Sequence, residues 1–150
     1  MPDYETLDTI ADAYIPALAL FSLIAIAISA IQGQWQIAAL RLLTILIFAV
    51  IAYGFMFIDS WLKLWPALEL DYSTHTAVSL VLVIFLSVIN KKLAVFWLVS
   101  FIAYALLMLY QQYHTLADIV TTAVVVIVPT WLIAAYCYRH WPFRRNSHDQ

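Results

Sequence analysis

Two short segments of this 150-residue chain set histidine beside hydroxyl and carboxyl groups. Asp71-Tyr72-Ser73-Thr74-His75-Thr76-Ala77 opens one apolar run, and Tyr113-His114-Thr115-Leu116-Ala117-Asp118 opens another. Read as helix starts, both aim the positive end of a helix dipole and several unpaired N–H groups at the space ahead of them. Such a place takes anions, phosphate above all. An imidazole can attack phosphorus or hand a proton to a departing alkoxide near neutral pH. Asp118 follows His114 by four residues, about one helical turn. From there it can hold one ring nitrogen as N–H and leave the other free to attack, the orienting role of the acid in a serine-protease triad. Architectural readings stand beside these. Thr115-x-x-Asp118 is also a helix capping box. Ser73 or Thr74 is also a helix cap, a role compatible with phosphate contact. Lys63 is either a solvated interface residue or a phosphate contact.

The elements that must position these groups follow from composition. The chain is 65% hydrophobic and 11% charged, against about 45–50% and about 25% in average soluble domains. A water-soluble fold of this size has no way to hide so much apolar surface. Disorder, collagen and nucleic-acid binding are excluded on the same grounds. One cysteine, Cys137, allows neither an internal disulfide nor a cysteine-based zinc site. The acidic opening, with Asp3, Glu5, Asp8 and Asp12, has the wrong sign for a targeting peptide.

Residues 13–40, 42–58, 72–90, 93–117 and 119–138 are free of Asp, Glu, Lys and Arg. A bilayer-crossing helix needs roughly 17–25 mostly apolar residues. The sequence therefore predicts one all-α transmembrane domain over 1–150. Its five spanning helices fall near 13–31, 36–58, 74–90, 93–110 and 115–138. A short interfacial helix is expected around 60–70, with Trp61 and Trp65 at the interface and Pro66 limiting its length. Arg41 is expected to extend its stem to the headgroups. Trp35, Trp131, Tyr136 and Trp141 read as interfacial belt residues.

Five crossings put the termini on opposite sides. One face then collects Arg41, Lys91, Lys92, Arg139, Arg144 and Arg145, six of the seven basic residues, and the other collects Lys63 with eight of the nine acids. By the positive-inside rule the basic face is cytoplasmic. The N-terminus and both histidine segments are then extracytoplasmic, in a bacterial inner membrane or a plasma membrane. Tail arginines are expected to anchor to anionic headgroups. His140 and His148 in the tail receive no role.

Ser73-x-His75-Thr76-Ala77 ahead of an apolar helix, and His114-x-x-x-Asp118 ahead of another, together resemble the type 2 phosphatidic acid phosphatase superfamily. That group includes lipid phosphate phosphatases and sphingomyelin-synthase-like transferases. The resemblance covers about the last two thirds of the chain. It implies that His114 is a nucleophile forming a phosphohistidine, that Asp118 is its partner, and that His75 is the general acid. It further implies phosphate contacts from Ser73 and Thr74, no metal or other cofactor, and a lipid phosphate or polyprenyl pyrophosphate as substrate. The chain departs from the pattern at the family's arginines. Asp59-Ser60-Trp61-Leu62-Lys63-Leu64-Trp65-Pro66 has a lysine and a proline but no Arg-Pro pair, and Met108 stands where the third motif usually has arginine.

The expected function is a membrane-embedded lipid phosphatase or phosphotransferase with a His75/His114/Asp118 pocket on the extracytoplasmic side. The alternative is a non-catalytic subunit of a larger membrane complex built on the same fold, with partner membrane subunits. A third reading makes His75 and His114 axial haem ligands.

Overall fold

The computed structural model describes residues 4–140. The expectations resting on Asp3, Trp141, Arg144, Arg145 and His148 lie outside the described residues. Five α-helices follow one another: α1 (Tyr4–Ile31), α2 (Trp35–Leu62), α3 (Thr74–Ile89), α4 (Ala94–Tyr110) and α5 (Leu116–His140). No strand occurs among the described residues. Four of the helices, α1, α2, α4 with the turn before it, and α5, are long and apolar enough to cross a membrane. Large apolar side chains such as Phe21, Val50, Val95, Val99, Val124 and Leu132 cover their outer surfaces. A soluble protein does not tolerate such a surface, whereas lipid requires it. The chain is a multi-pass integral membrane helical bundle.

The order of packing places α3 at the centre, in contact with each of the other four helices. Around it α4, α1, α2 and α5 follow in sequence, each packed on the next. α3 has 16 residues, about 24 Å of helix, short for a hydrocarbon core of roughly 30 Å. Residues 79–86 are all buried, on every side of the helix. Phe48 and Ala52 of α2, Leu18 of α1 and Val126 of α5 join this core.

Polar groups inside the bundle are satisfied locally, as hydrocarbon demands. Ser22, Thr44 and Thr130 are buried, and each hydroxyl donates to the carbonyl four residues earlier at 2.7–2.8 Å. Their small side chains also let helix backbones approach. Tyr14 of α1 stacks on Tyr104 of α4 at 4.3 Å, and its hydroxyl lies 2.9 Å from the Ser100 hydroxyl.

Three expectations are corrected. α1 begins at Tyr4 rather than 13, because a helix does not end where the membrane does; Glu5, Asp8 and Asp12 extend it on the polar side. The interfacial helix around 60–70 is absent as such. α2 runs on to Leu62, and only a three-residue 3-10 turn, Pro66–Leu68, remains. Arg41 does not run out along α2 to the headgroups. It is half-buried and crosses to α1, donating to the Ala25 carbonyl at 2.9 Å and to the Ser29 hydroxyl. An arginine facing a neighbouring helix finds carbonyl acceptors there, and these replace water.

The turns carry specific local devices. Gly33 takes φ +73° between α1 and α2, and its neighbour Gln34 donates to the Ser29 carbonyl at 2.9 Å. Lys63 takes a left-handed φ of 54° at the end of α2 and closes it by donating to the Asp59 carbonyl at 2.7 Å. Asn90 ends α3, and its side chain accepts from Lys92 N–H at 3.2 Å.

Candidate functional site

Both histidine segments lie at the same end of the bundle. α3 and α5 run parallel, each beginning at this rim, and the imidazoles of His75 and His114 approach to 6.3 Å between ring centres at 52°. Tyr113 lies alongside His75, 6.5 Å away and nearly coplanar in orientation at 11°. His75 is exposed and His114 half-buried.

The rim is assembled by Asp118. Its Oδ2 accepts from the backbone N–H and the hydroxyl of Thr115, both at 2.8 Å, and Asp118 N–H donates back to the Thr115 hydroxyl at 3.2 Å. This is a reciprocal capping box at the start of α5. Oδ1 accepts from Asp71 N–H at 2.8 Å, across to the loop before α3. The one carboxylate therefore ties together the two segments that carry His75 and His114. The sequence left two roles open for it, capping and orienting His114. Capping is the one its geometry adopts, and no Asp118–His114 hydrogen bond forms among the described residues.

Ser73 is fully buried and caps α3. Its hydroxyl accepts from Thr76 N–H at 3.2 Å and from the Thr76 hydroxyl at 2.8 Å, while its own N–H donates to Thr122 of α5 at 3.1 Å. The expectation that Ser73 touches phosphate is corrected, since a side chain sealed under the rim does not reach a guest above it. Thr74 is half-buried at the first position of α3. Lys63 is exposed at the far end of the loop from Asp71, and no contact joins it to either histidine.

The intervening loop is pinned by Trp65, which sequence reasoning treated as interfacial, and by Tyr72. Trp65 is buried, donates its backbone N–H to Asp59 Oδ1 at 2.8 Å, and donates its indole N–H to the Thr121 hydroxyl of α5 at 3.1 Å. Tyr72 packs edge-on to Trp65 at 5.1 Å and donates its hydroxyl to the Ala52 carbonyl at 2.7 Å. Burial, reinforced by the Asp59 charge, pushes the Tyr72 phenol well above its ordinary value, so it stays a donor. Nothing in spacing or composition marks Tyr113, Trp65 or Tyr72 as rim-building residues.

Burial lowers the His114 imidazole below its ordinary 6.5, and neighbouring His75 lowers it further; Asp118 and Asp71 act in the opposite direction. His114 is thus mainly neutral at pH 7, the form able to attack an electrophile. No group of three or more His, Cys, Asp or Glu side chains that could hold a metal ion occurs among the described residues.

No protein-family model, curated protein or solved structure matches this chain.

Proposed function

We propose that the rim between α3 and α5 is a phosphoryl-transfer site for a membrane lipid, a lipid phosphate or polyprenyl pyrophosphate, in a chain related to the type 2 phosphatidic acid phosphatases. The observation that carries this reading is the pair of imidazoles 6.3 Å apart at two parallel helix starts. Both can reach one phosphoryl group, and the opening N–H groups of α3 and α5 face the same space. In the step we infer, neutral His114 forms a bond to phosphorus as the ester P–O bond breaks. Protonated His75 gives its proton to the departing oxygen. Water then attacks the phosphohistidine, His75 takes a proton from it, and the P–N bond breaks. Asp118 acts as a positioning residue through Thr115 and Asp71. The charge distribution supports an extracytoplasmic rim and N-terminus with a cytoplasmic C-terminus.

The test is phosphate release from a short-chain lipid phosphate and from a polyprenyl pyrophosphate. Wild type is expected to release phosphate, and His114→Ala to lose about 10³-fold or more. Equal release from both proteins contradicts the reading.

One observation favours a second reading, a non-catalytic subunit of a larger membrane complex. Lys63 is the one cation near this end among the described residues, and it does not contact the histidines. Phosphoryl transfer ordinarily draws on cationic clamps. A stoichiometric membrane partner in mild detergent, with no hydrolysis of either substrate, is the outcome this second reading expects.

A further inference from the structure

The opposite ends of α3 and α5 enclose a different space. α4 and α5 both pack on α3, and between them lies a cavity of about 810 Å³. Ile84 and Val88 of α3 form its floor, and Leu98 of α4 and Trp131 of α5 stand at its walls. The Ser87 hydroxyl in the floor donates to the Val83 carbonyl at 2.7 Å, so its proton is turned to its own helix and not to a guest.

We propose that this cleft binds one membrane phospholipid by its acyl chains, taken from the leaflet at the end where α3 and α5 finish. Three features select that occupant. The first is chemistry. A lining made mainly of carbon offers water too few of the two to four polar partners it needs, and left empty it forfeits dispersion contacts. The second is depth. Lining residues on α5 run from Ile127, near the middle of that helix, to Arg139. That is about 18 Å of helix, close to half of a roughly 30 Å hydrocarbon core. The third is width. Spread over that depth, the cavity has a cross-section of about 45 Å². A helix with its side chains is about 10–12 Å across, or about 80–110 Å², and it needs the full thickness of the core. Neither a partner's helix nor one from a second copy of this chain seats in such a space. Hydrocarbon chains, whose carbons pack about 3.5–4.0 Å apart, lie side by side in it. The site lies at the far end of the bundle from the histidine pair, and stands whether or not that pair is catalytic.

The experiment is native mass spectrometry of the full-length protein in neutral detergent. The probes are dioleoyl phosphatidylcholine, phosphatidylglycerol with the same chains, and dihexanoyl phosphatidylcholine. Wild type is expected to keep one dioleoyl lipid per protein. It is expected to hold the dihexanoyl lipid at least about tenfold less, because short chains leave the deep half of the cleft without contacts. Exchanging the headgroup on the same chains is expected to change retention by less than that. Ala135→Phe, which fills the cleft, is expected to lose the lipid. Ala103→Phe, on the exposed surface of α4 and outside the lining, is expected to keep it. Should the filled variant not fold, the chain comparison in wild type decides, together with fluorescence. Chain-brominated phosphatidylcholine in detergent is expected to quench Trp131, read as wild type minus Trp131→Phe, with saturation at one lipid per protein. Equal retention of short and long chains, a headgroup effect larger than the chain effect, lipid kept by folded Ala135→Phe, quenching that does not saturate, or a second polypeptide in place of lipid overturns the proposal.

Discussion

The two ends of the α3–α5 pair use the same two helices to opposite effect. Where the helices begin, polar side chains knit the backbone of one segment to the side chains of the other. Asp118 holds Asp71 and Thr115, Thr122 holds Ser73, and Thr121 holds Trp65. Where they end, α4 stands apart from α5 and leaves a cavity lined mainly by apolar side chains. The first end fixes two imidazoles at a set separation, as a site that handles a reacting group requires. The second end is open along its side and carries two cations, as suits a guest arriving from within the membrane. Rigidity is thus concentrated where capping side chains are shared between helices, and space is left where α4 and α5 diverge around the cavity.

Breaking the first end is expected to have the largest consequence. If the rim performs phosphoryl transfer, His114→Ala removes the nucleophile, with the loss already given, and His75→Ala removes the general acid at a cost of about 10²–10⁴-fold in kcat. Rates on a substrate with a highly acidic leaving group separate the two roles: that substrate is expected to rescue His75→Ala and leave His114→Ala inactive.

Next comes Asp118→Ala, which strips three acceptor contacts from a buried carboxylate and frees two loops at once. A loss of about 3 kcal/mol is expected by denaturant titration in detergent, whereas Ser73→Ala, which removes a single cap, is expected to cost about 1 kcal/mol. Equal, small losses from both would mean that Asp118 is not the knot of the rim.

Much of the architecture was legible because lipid imposes a coarse rule. Runs without charge marked α2, α4 and α5 to within a few residues at most ends. The start of α1 was not legible, because Glu5, Asp8 and Asp12 neither interrupt a helix in water nor belong to a span. Nor did the central place of α3 show in its composition. Apolar residues on every side suit a helix wrapped in protein as well as one wrapped in lipid. The convergence of His75 and His114 followed from counting crossings. The role of Asp118 did not, since a residue four after histidine and three after threonine satisfies both spacings, and only the position of Asp71 decides between them. The cleft was invisible because it arises from what α4 and α5 fail to touch.

Smaller effects sharpen the comparison at its electrostatic level. His114 is expected to titrate below 6.5 by histidine NMR, because burial disfavours its charged form. Unfolding restores the ordinary value, so the unfolded chain binds more protons as the pH falls through 6.5. Stability from this group is therefore complete above 6.5 and declines below it. Asp118→Asn, which removes an opposing negative charge, is expected to lower the midpoint further, and His75→Gln to raise it. Shifts in the reverse directions would show that the two rings do not share one electrostatic environment.

The sidedness of the two ends has its own check. Cys137 is buried and so is unsuited to reporting sidedness by its own labelling. Cysteines placed at exposed Gln112 and Lys92 in a Cys137→Ser background serve instead. An impermeant reagent outside intact cells is expected to reach position 112 and not position 92, and the opposite pattern would invert the bundle.

The most direct test of the account is whether one anion engages both rim histidines. In histidine-labelled protein in detergent, titration with a short-chain lipid phosphate is expected to move the His75 and His114 imidazole signals together with one shared midpoint, while those of His140 and His148 stay in place. Movement confined to the tail histidines, or separate midpoints for His75 and His114, would contradict it.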